Sequence, residues 1–346
     1  MAVTEEAVRE ALKAVKYPGF SRDIVSFGLV KDIQVSNGNL TVQLQLATNE
    51  AAIPRAIKAD AEGVLQRLPG VSQAKVLIDI HAPPAGAGAA GVGATRIEGV
   101  KHVIAVASGK GGVGKSTVAA NLAVALDRTE ARVGLCDCDL YGPSIALMFG
   151  TRDRPMATEE NKIVPIEQYN LKLMSMGFLL DDTSPAILRG PMVTRYTQQF
   201  LRQVEWGELD YLVLDLPPGT GDIQLTIVQT VALAGAIIVT TPQEVALIDA
   251  RKAAVMFEKV NVPVLGVIEN MSYFMAPDGT RHDIFGVGGG EREAKRLRVP
   301  LLGQIPIDIA TREAGDRGMP ITAEATNSPV ATEFMRIARD LRDLLA

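Results

Sequence analysis

One stretch limits the folds open to this chain more than any other: Ser108-Gly109-Lys110-Gly111-Gly112-Val113-Gly114-Lys115-Ser116-Thr117, set between the apolar run Val103 to Ala107 and the helix-patterned run Ser116 to Leu126. It fits the P-loop pattern, with Gly109, Gly114, Lys115 and Ser116 at the required positions. Glycines let successive backbone N–H groups point into one concavity without a Cβ clash, and the following helix offers its positive N-terminal end to the same anion. In such a loop Lys115 reaches the β- and γ-phosphates, the Ser116 hydroxyl binds Mg2+, and Thr117 lies beside the α-phosphate. The same residues satisfy a second pattern, Gly109-x-Gly111-Gly112-x-Gly114 with the acidic Asp137 downstream, the fingerprint of a dinucleotide site. That alternative explains neither Lys115-Ser116 nor the second acidic strand end described next.

Beyond residue 100, apolar runs alternate with helical patterns. Val103 to Ala107, Arg132 to Asp137, Leu171 to Met176, Tyr211 to Asp215, Ala236 to Thr240, Val264 to Ile268 and Leu301 to Ile305 read as strands covered on both faces, with helices such as Ser116 to Leu126, Val193 to Val204 and Val245 to Val260 between them. The fold predicted for 100–346 is therefore α/β, a doubly wound and mostly parallel sheet. Two strands end in carboxylates. Tyr211-Leu-Val-Leu-Asp215 has the Walker B form, in which Asp215 holds a Mg2+-bound water, and the glycine-rich Gly219-Thr220-Gly221 loop follows it. In Leu135-Cys136-Asp137-Cys138-Asp139, a period of two puts Asp137 and Asp139 on one face and the two cysteines on the other. Asp137 joins Ser116 and Asp215 as a candidate for the Mg2+ site.

Residues 1–80 read as a separate small α+β module. Glu5 to Val15 and Ala51 to Leu68 have helical periodicity, Ile33 to Leu46 is a hairpin folded at Asn37-Gly38, and Ala74 to Ile80 is a closing strand. Between the module and the larger domain, 81–99 is nearly pure Ala, Gly and Pro, the composition of a flexible tether. The 35 Lys plus Arg against 40 Asp plus Glu give a net charge of −5, without the basic footprint of a nucleic-acid binder or a membrane-surface helix. The start, MAVTEEAVREALKAV, lacks the pattern of a signal peptide, and Ile227 to Val239 is too short and interrupted to span a bilayer. The expected location is the cytoplasm, with neither membrane nor nucleic acid as partner. The only cysteines, Cys136 and Cys138, cannot build a disulfide framework.

The string Lys110-Gly-Gly-Val-Gly-Lys115-Ser resembles the deviant Walker A of the MinD/ParA/nitrogenase-iron-protein group. Together with Asp139-Leu-Tyr-Gly142-Pro143-Ser144, Arg189-Gly-Pro-Met192, Trp206-Gly-Glu-Leu-Asp-Tyr211, Asp215-Leu-Pro-Pro-Gly-Thr-Gly-Asp222, Glu269-Asn270-Met271-Ser272 and Ile305-Pro306-Ile-Asp308, it resembles the Mrp/ApbC family of iron-sulfur cluster carrier ATPases along essentially the whole chain. The resemblance implies a homodimer that sandwiches ATP, hydrolyses it slowly, and uses the nucleotide to control loading or release of a cluster for apo-protein clients alongside iron-sulfur assembly proteins. It implies that Lys110 reaches across the dimer to a phosphate, that Asp139 positions the attacking water, and that Asn270 and Pro306 meet the adenine. Lys110, Lys115, Asp139 and Asp215 are thus the catalytic set. The nucleotide set is Gly109 to Thr117 with Asn270 and Pro306.

One departure stands against these matches. Members of the family usually follow Asn-Met-Ser-Tyr-Phe with a Cys-x-x-Cys pair whose thiolates bridge a [4Fe-4S] cluster between subunits. Here the chain reads Tyr273-Phe274-Met275-Ala276-Pro277-Asp278-Gly279, so Ala276 and Gly279 stand where the ligands belong. The implied cluster is therefore in doubt, and the alternative is an ATP-switched dimeric adaptor that has lost it. Cys136 and Cys138 read as buried packing residues, and His81, His102 and His282 are scattered; only His282 with Asp283 lies near the missing pair. The C-terminal run Val330 to Leu345 carries an apolar stripe of Phe334, Ile337, Leu341 and Leu344 suited to packing on the core.

Overall fold

The computed structural model describes residues 3–16, 23–25, 29–36, 39–47, 52–81, 94–160, 162–179, 190–324 and 327–346. The chain divides into two compact units, Met1–Ala87 and Gly88–Ala346. The tether expected over 81–99 falls largely on 82–93, and the Asn37-Gly38 turn on 37–38, both outside the described residues.

The first unit runs α1 (Glu5–Leu12), β1 (Val30–Ser36), β2 (Asn39–Ala47), α2 (Ala52–Leu65), β3 (Gln73–His81), the α-β-β-α-β order read from the sequence. β1 pairs antiparallel and β3 parallel with the central β2. Alternation puts Leu40, Val42 and Leu44 of β2 and Ala74 and Val76 of β3 on one buried face, where Val8, Leu12, Ile57, Ala61 and Leu65 of the helices are also buried. The Glu62 carboxylate accepts a hydrogen bond from the Val76 amide at 3.0 Å, tying α2 to β3.

The second unit is built on a sheet whose described strands are ordered β13-β10-β9-β4-β8-β5-β7-β6. These are β4 (Val100–Ala107), β5 (Val133–Asp137), β6 (Ile166–Gln168), β7 (Leu171–Met174), β8 (Leu209–Asp215), β9 (Gly235–Thr240), β10 (Val264–Glu269) and β13 (Leu301–Gln304). All neighbours are parallel except β6, an antiparallel edge strand that the apolar-run reading passed over because it is short and half-exposed. β9 is buried throughout, β4 from Val103 onward and β8 at every residue but Asp210, as strands covered on both faces must be. α3 (Lys115–Asp127) has no polar face, since ten of its residues are buried, and it packs beneath α11 (Pro329–Leu345). Of the stripe read from the sequence, Phe334, Ile337 and Leu341 are fully buried, whereas Leu344 in the last turn is 50% exposed, so α11 packs on the core along all but its end. Two short strands, β11 (Phe274–Met275) and β12 (Arg281–His282), form a separate antiparallel ribbon.

Candidate nucleotide site

The order of the sheet places the carboxyl ends of β4, β5 and β8 side by side, and a crevice opens there where the chain switches direction across the sheet. β4 runs straight into the glycine-rich loop. At Gly109 a Cβ would lie 2.0 Å from the Asp249 carbonyl carbon of α7 (Glu244–Lys259), so only glycine passes. At Gly114 the φ of +78° and a Cβ position 2.2 Å from Asn270 Nδ2 exclude any side chain twice over. Gly111 and Gly112, by contrast, face open space, as a cradle for a ligand requires. Gly114 leaves the first-turn amides of α3 without a side-chain cap, pointing at that space.

Lys115 and Asp215 meet inside the crevice: the ammonium lies 2.5 Å from Asp215 Oδ1 and 3.3 Å from the Ser116 hydroxyl, with Lys115 6% exposed and Asp215 fully buried. The second oxygen, Asp215 Oδ2, is buried with no hydrogen-bond partner. Burial raises the Asp215 pKa, and Lys115 works against that rise. A buried carboxylate oxygen without a donor, beside the Ser116 hydroxyl and an anion cradle, fits a hard divalent cation with oxygen ligands.

Asp137 has a different part. Its Oδ2 accepts the Ser144 and Ile145 amides at 3.0 and 3.2 Å and the Ser175 hydroxyl at 2.9 Å, while Oδ1 accepts the Asp139 amide at 3.1 Å. Asp137 therefore anchors the start of the short helix α4 (Ile145–Met148). Burial and the nearby Asp215 push its pKa up to about 7. β5 ends at Asp137, so the two-residue alternation does not carry through Asp139, which instead lines the phosphate cavity from a loop. The cysteines still turn inward. Both are buried with their sulfurs 3.8 Å apart, and the hydrogen bond between them together with burial raises the Cys138 thiol well above its ordinary value.

Two adjoining cavities complete the crevice. One, of about 280 Å³, is lined by Lys110, Gly111, Gly112, Lys115, Ser116 and Asp139, and the Lys110 ammonium has no ion-pair partner among the described residues. The other, of about 300 Å³, shares Gly114, Thr117 and Met148 with it and is closed by Asn270, Pro306 and Ile307. Of the fourteen residues singled out from the sequence around the nucleotide, these cavities are lined by all but Gly109, Val113, Asp137 and Asp215. Asn270 does more than line the pocket: its Nδ2 donates to the Val113 carbonyl at 2.8 Å, strapping the end of β10 to the loop.

Three supporting residues escaped the sequence reading. Ser175 is a hydroxyl at the end of β7 with no local signal. Asp308 accepts the Thr311 amide at 2.7 Å as the N-cap of α9 (Ile309–Asp316), which its position before a helical run foreshadows. Glu269, inside the quoted Glu269-Asn270-Met271-Ser272 string, is fully buried and accepts Ser272 Oγ at 2.5 Å, Gln304 Nε2 at 2.7 Å and the Gly290 amide at 2.5 Å, fixing the corner that presents Asn270.

At the missing cysteine pair the backbone closes a tight turn. The Gly279 amide donates to the Ala276 carbonyl at 2.9 Å, the Ala276 amide donates to the Thr280 carbonyl at 2.8 Å, and Gly279 sits at φ +82°. Pro277-Asp278-Gly279 is thus the tip of the β11–β12 ribbon. No group of three or more His, Cys, Asp or Glu side chains suited to a metal ion occurs among the described residues, and His282 is exposed on the ribbon.

Residues 99–342 match the family described as NUBPL iron-transfer P-loop NTPase, and residues 5–78 match the one described as iron-sulfur cluster assembly protein. The chain belongs to the NUBPL iron-transfer P-loop NTPase family. This NUBPL-family chain is 43% identical over 345 residues to an iron-sulfur cluster carrier protein of Synechocystis, covering 98% of the chain and 97% of the relative. Among solved structures it is similar to a nucleotide-binding protein from Archaeoglobus fulgidus in complex with ADP, with 38% identity and a TM-score of 0.60 over 69% of the chain and 94% of the other. The cell-division ATPase MinD of Pyrococcus furiosus, 24% identical at a TM-score of 0.55 over 70% of the chain and 99% of its own, shares the fold. The dinucleotide alternative is thereby set aside: the glycine-rich loop is that of a P-loop NTPase. No helix among the described residues is long and apolar enough to cross a membrane.

Proposed function

We propose that this protein is a Mg2+-dependent ATPase whose nucleotide state drives a step in the assembly or transfer of iron-sulfur clusters to apo-protein clients in the cytoplasm. The observation that carries the reading is the lone buried Asp215 Oδ2 beside Lys115, Ser116 and an open glycine cradle. Asp215 and Ser116 would hold the cation, directly or through water. When bound, Mg2+ neutralises charge developing on the β- and γ-phosphate oxygens. Lys115 gives up its ion pair with Asp215 to reach the phosphates, the loop amides and the α3 terminus bind the remaining oxygens, and Asp139 orients the water. One of the two Asn270 amide hydrogens is engaged by the Val113 carbonyl, which fixes the side chain so that its carbonyl oxygen would accept from the adenine amino group. Lys110, whose ammonium has no ion-pair partner among the described residues, would serve a nucleotide in a second copy of the chain, and we read the working form as a homodimer.

A second reading has its own support. In an adaptor that no longer holds the cluster, the nucleotide would control only the grip on partner proteins. Ala276 and Gly279 do not fit a [4Fe-4S] cluster, because neither has a ligating atom and their backbone is committed to a turn. The chain's only thiols, Cys136 and Cys138, are buried in the core. Anaerobic reconstitution with iron and sulfide separates the readings. Bound iron and acid-labile sulfide in stoichiometric amounts, abolished by Cys136→Ser/Cys138→Ser, identify a carrier with relocated ligands. Absence of both, with ATP turnover intact, identifies the adaptor; absence of ATP binding overturns both.

A further inference from the structure

A further cavity in the second unit, of about 470 Å³, is distinct from the two that make up the nucleotide site and shares α4 with them. Its floor is a crossing of two backbones: a Cβ on Gly318 would lie 2.2 Å from Gly150 Cα, one on Gly150 would lie 2.9 Å from the Gly318 carbonyl oxygen, and both residues have positive φ. The Tyr169 hydroxyl donates to the Gly318 carbonyl at 3.0 Å and holds that crossing in place. The hollow is thus built into the fold by a contact that tolerates no side chain.

Its chemistry is unlike that of the protein as a whole. On a chain of net charge −5, three arginines, Arg152, Arg154 and Arg317, line one mouth. The single carboxylate there, Asp316, is engaged by Arg312 at 2.7 Å. Arg317 bonds Glu324 at 2.7 Å, whereas Arg152 is exposed and has no ion-pair partner among the described residues. The apolar Phe178, almost fully buried, and Leu147, 66% exposed, line the same cavity. Planar guanidinium forks bind carboxylates in bidentate fashion, and the apolar wall suits a hydrophobic side chain between them.

We infer that this cavity docks an acidic peptide segment of a partner protein, alternating carboxylate and apolar side chains. The spread of the arginines around a volume larger than either nucleotide cavity favours a peptide over a single small anion. The position gives the docking a consequence. Leu147 and Asp316 line this cavity and the base pocket alike, and α4, which carries Leu147, is held at its first amides by Asp137 in the phosphate crevice. A peptide seated here and a nucleotide in the crevice press on one short helix, so each changes the affinity for the other by the same factor. This coupling rests on the nucleotide reading above; the docking itself does not.

Fluorescence anisotropy with the full chain tests both parts. The probe is a short labelled peptide of alternating glutamate and leucine, with its glutamine counterpart as control. Saturable binding of the glutamate peptide, weakened about tenfold or more by Arg152→Glu and by Arg317→Ala and absent for the glutamine peptide, is expected. Retained ATP binding by both variants shows that they fold. Equal affinity in wild type and both variants, equal binding of the glutamine peptide, or displacement of the peptide by an equal concentration of inorganic phosphate overturns the docking. With docking established, peptide affinity that is unchanged by ATP in a protein that binds ATP overturns the coupling alone.

Discussion

A single strand carries the two carboxylates that best show what this fold does with charge. Asp210 stands near the amino end of β8 and Asp215 at its carboxyl end. Asp210 is ringed by donors: Lys101 at 2.7 Å, the Arg132 amide at 2.8 Å and the Arg132 side chain at 3.4 Å, which draw its pKa down to about 2. Asp215 is buried against one ammonium with one oxygen unsatisfied, and its pKa is raised. The first carboxylate is complete and structural, a clamp that holds β4, β8 and the start of β5 together. The second is incomplete, and on the reading proposed above its open oxygen is the one that would meet the cation, although the two groups are only a strand's length apart.

The strongest way to break the contrast is to deepen the deficit. Lys115→Ala leaves Asp215 buried without its only cation, which costs about 3 kcal/mol of stability in the absence of nucleotide. The same change lowers ATP affinity by more than about a hundredfold, read by calorimetric titration; unchanged affinity would remove Lys115 from the site. Asp139→Ala is the next largest effect, because this side chain lines the phosphate cavity and, among the described residues, accepts only the Gly142 amide, at 3.3 Å. Turnover falls by about a hundredfold or more while ATP affinity holds within about threefold, measured by phosphate release beside equilibrium binding.

Smaller effects sharpen the other half of the comparison. Ala276→Cys/Gly279→Cys restores thiols to the ribbon tip but forces a side chain into a left-handed conformation, at a cost of about 1 kcal/mol in chemical denaturation. Asp210→Asn has the mildest outcome, a loss of up to about 1 kcal/mol at neutral pH with ATP turnover unaltered. Its folded pKa of about 2 lies below the unfolded value of about 3.9, so the wild-type clamp contributes fully above pH ~4 and fades as pH falls toward 2. The stability difference between wild type and variant should therefore shrink over that interval, and a constant difference would show that the Asp210 charge contributes nothing.

Much of this arrangement was legible from the residues alone, for a physical reason. Glycines at 109 and 114 are demanded by close approaches that no other residue survives, and apolar runs such as Tyr211 to Leu214 are demanded by burial on both faces, so both leave marks in the sequence. What did not show was the use of side chains across long separations. Asn270 reaches Val113, Ser175 reaches Asp137, and Thr322 donates to Asn121 at 3.0 Å, each bond joining segments whose proximity only the sheet order creates. The bonds Asp137 makes were hidden in the same way: a strand-end aspartate beside a phosphate loop suggests a metal, and the fold also gives it the amides of Ser144 and Ile145 and the Ser175 hydroxyl. Pro277-Asp278-Gly279, by contrast, is a turn sequence by its residues alone, and the structure makes a turn of it.

The Asn270 strap has one further consequence. It fastens the phosphate loop to β10, which has only β13 between it and the edge of the sheet. Amides at such an edge open locally at lower free energy than the central strands and exchange with solvent sooner. In hydrogen-exchange measurements the amides of Gly112 to Lys115 should keep time with β10 and β13 rather than with β4, from which the loop springs. Asn270→Ala would release the loop to an exchange rate of its own and leave both strands protected.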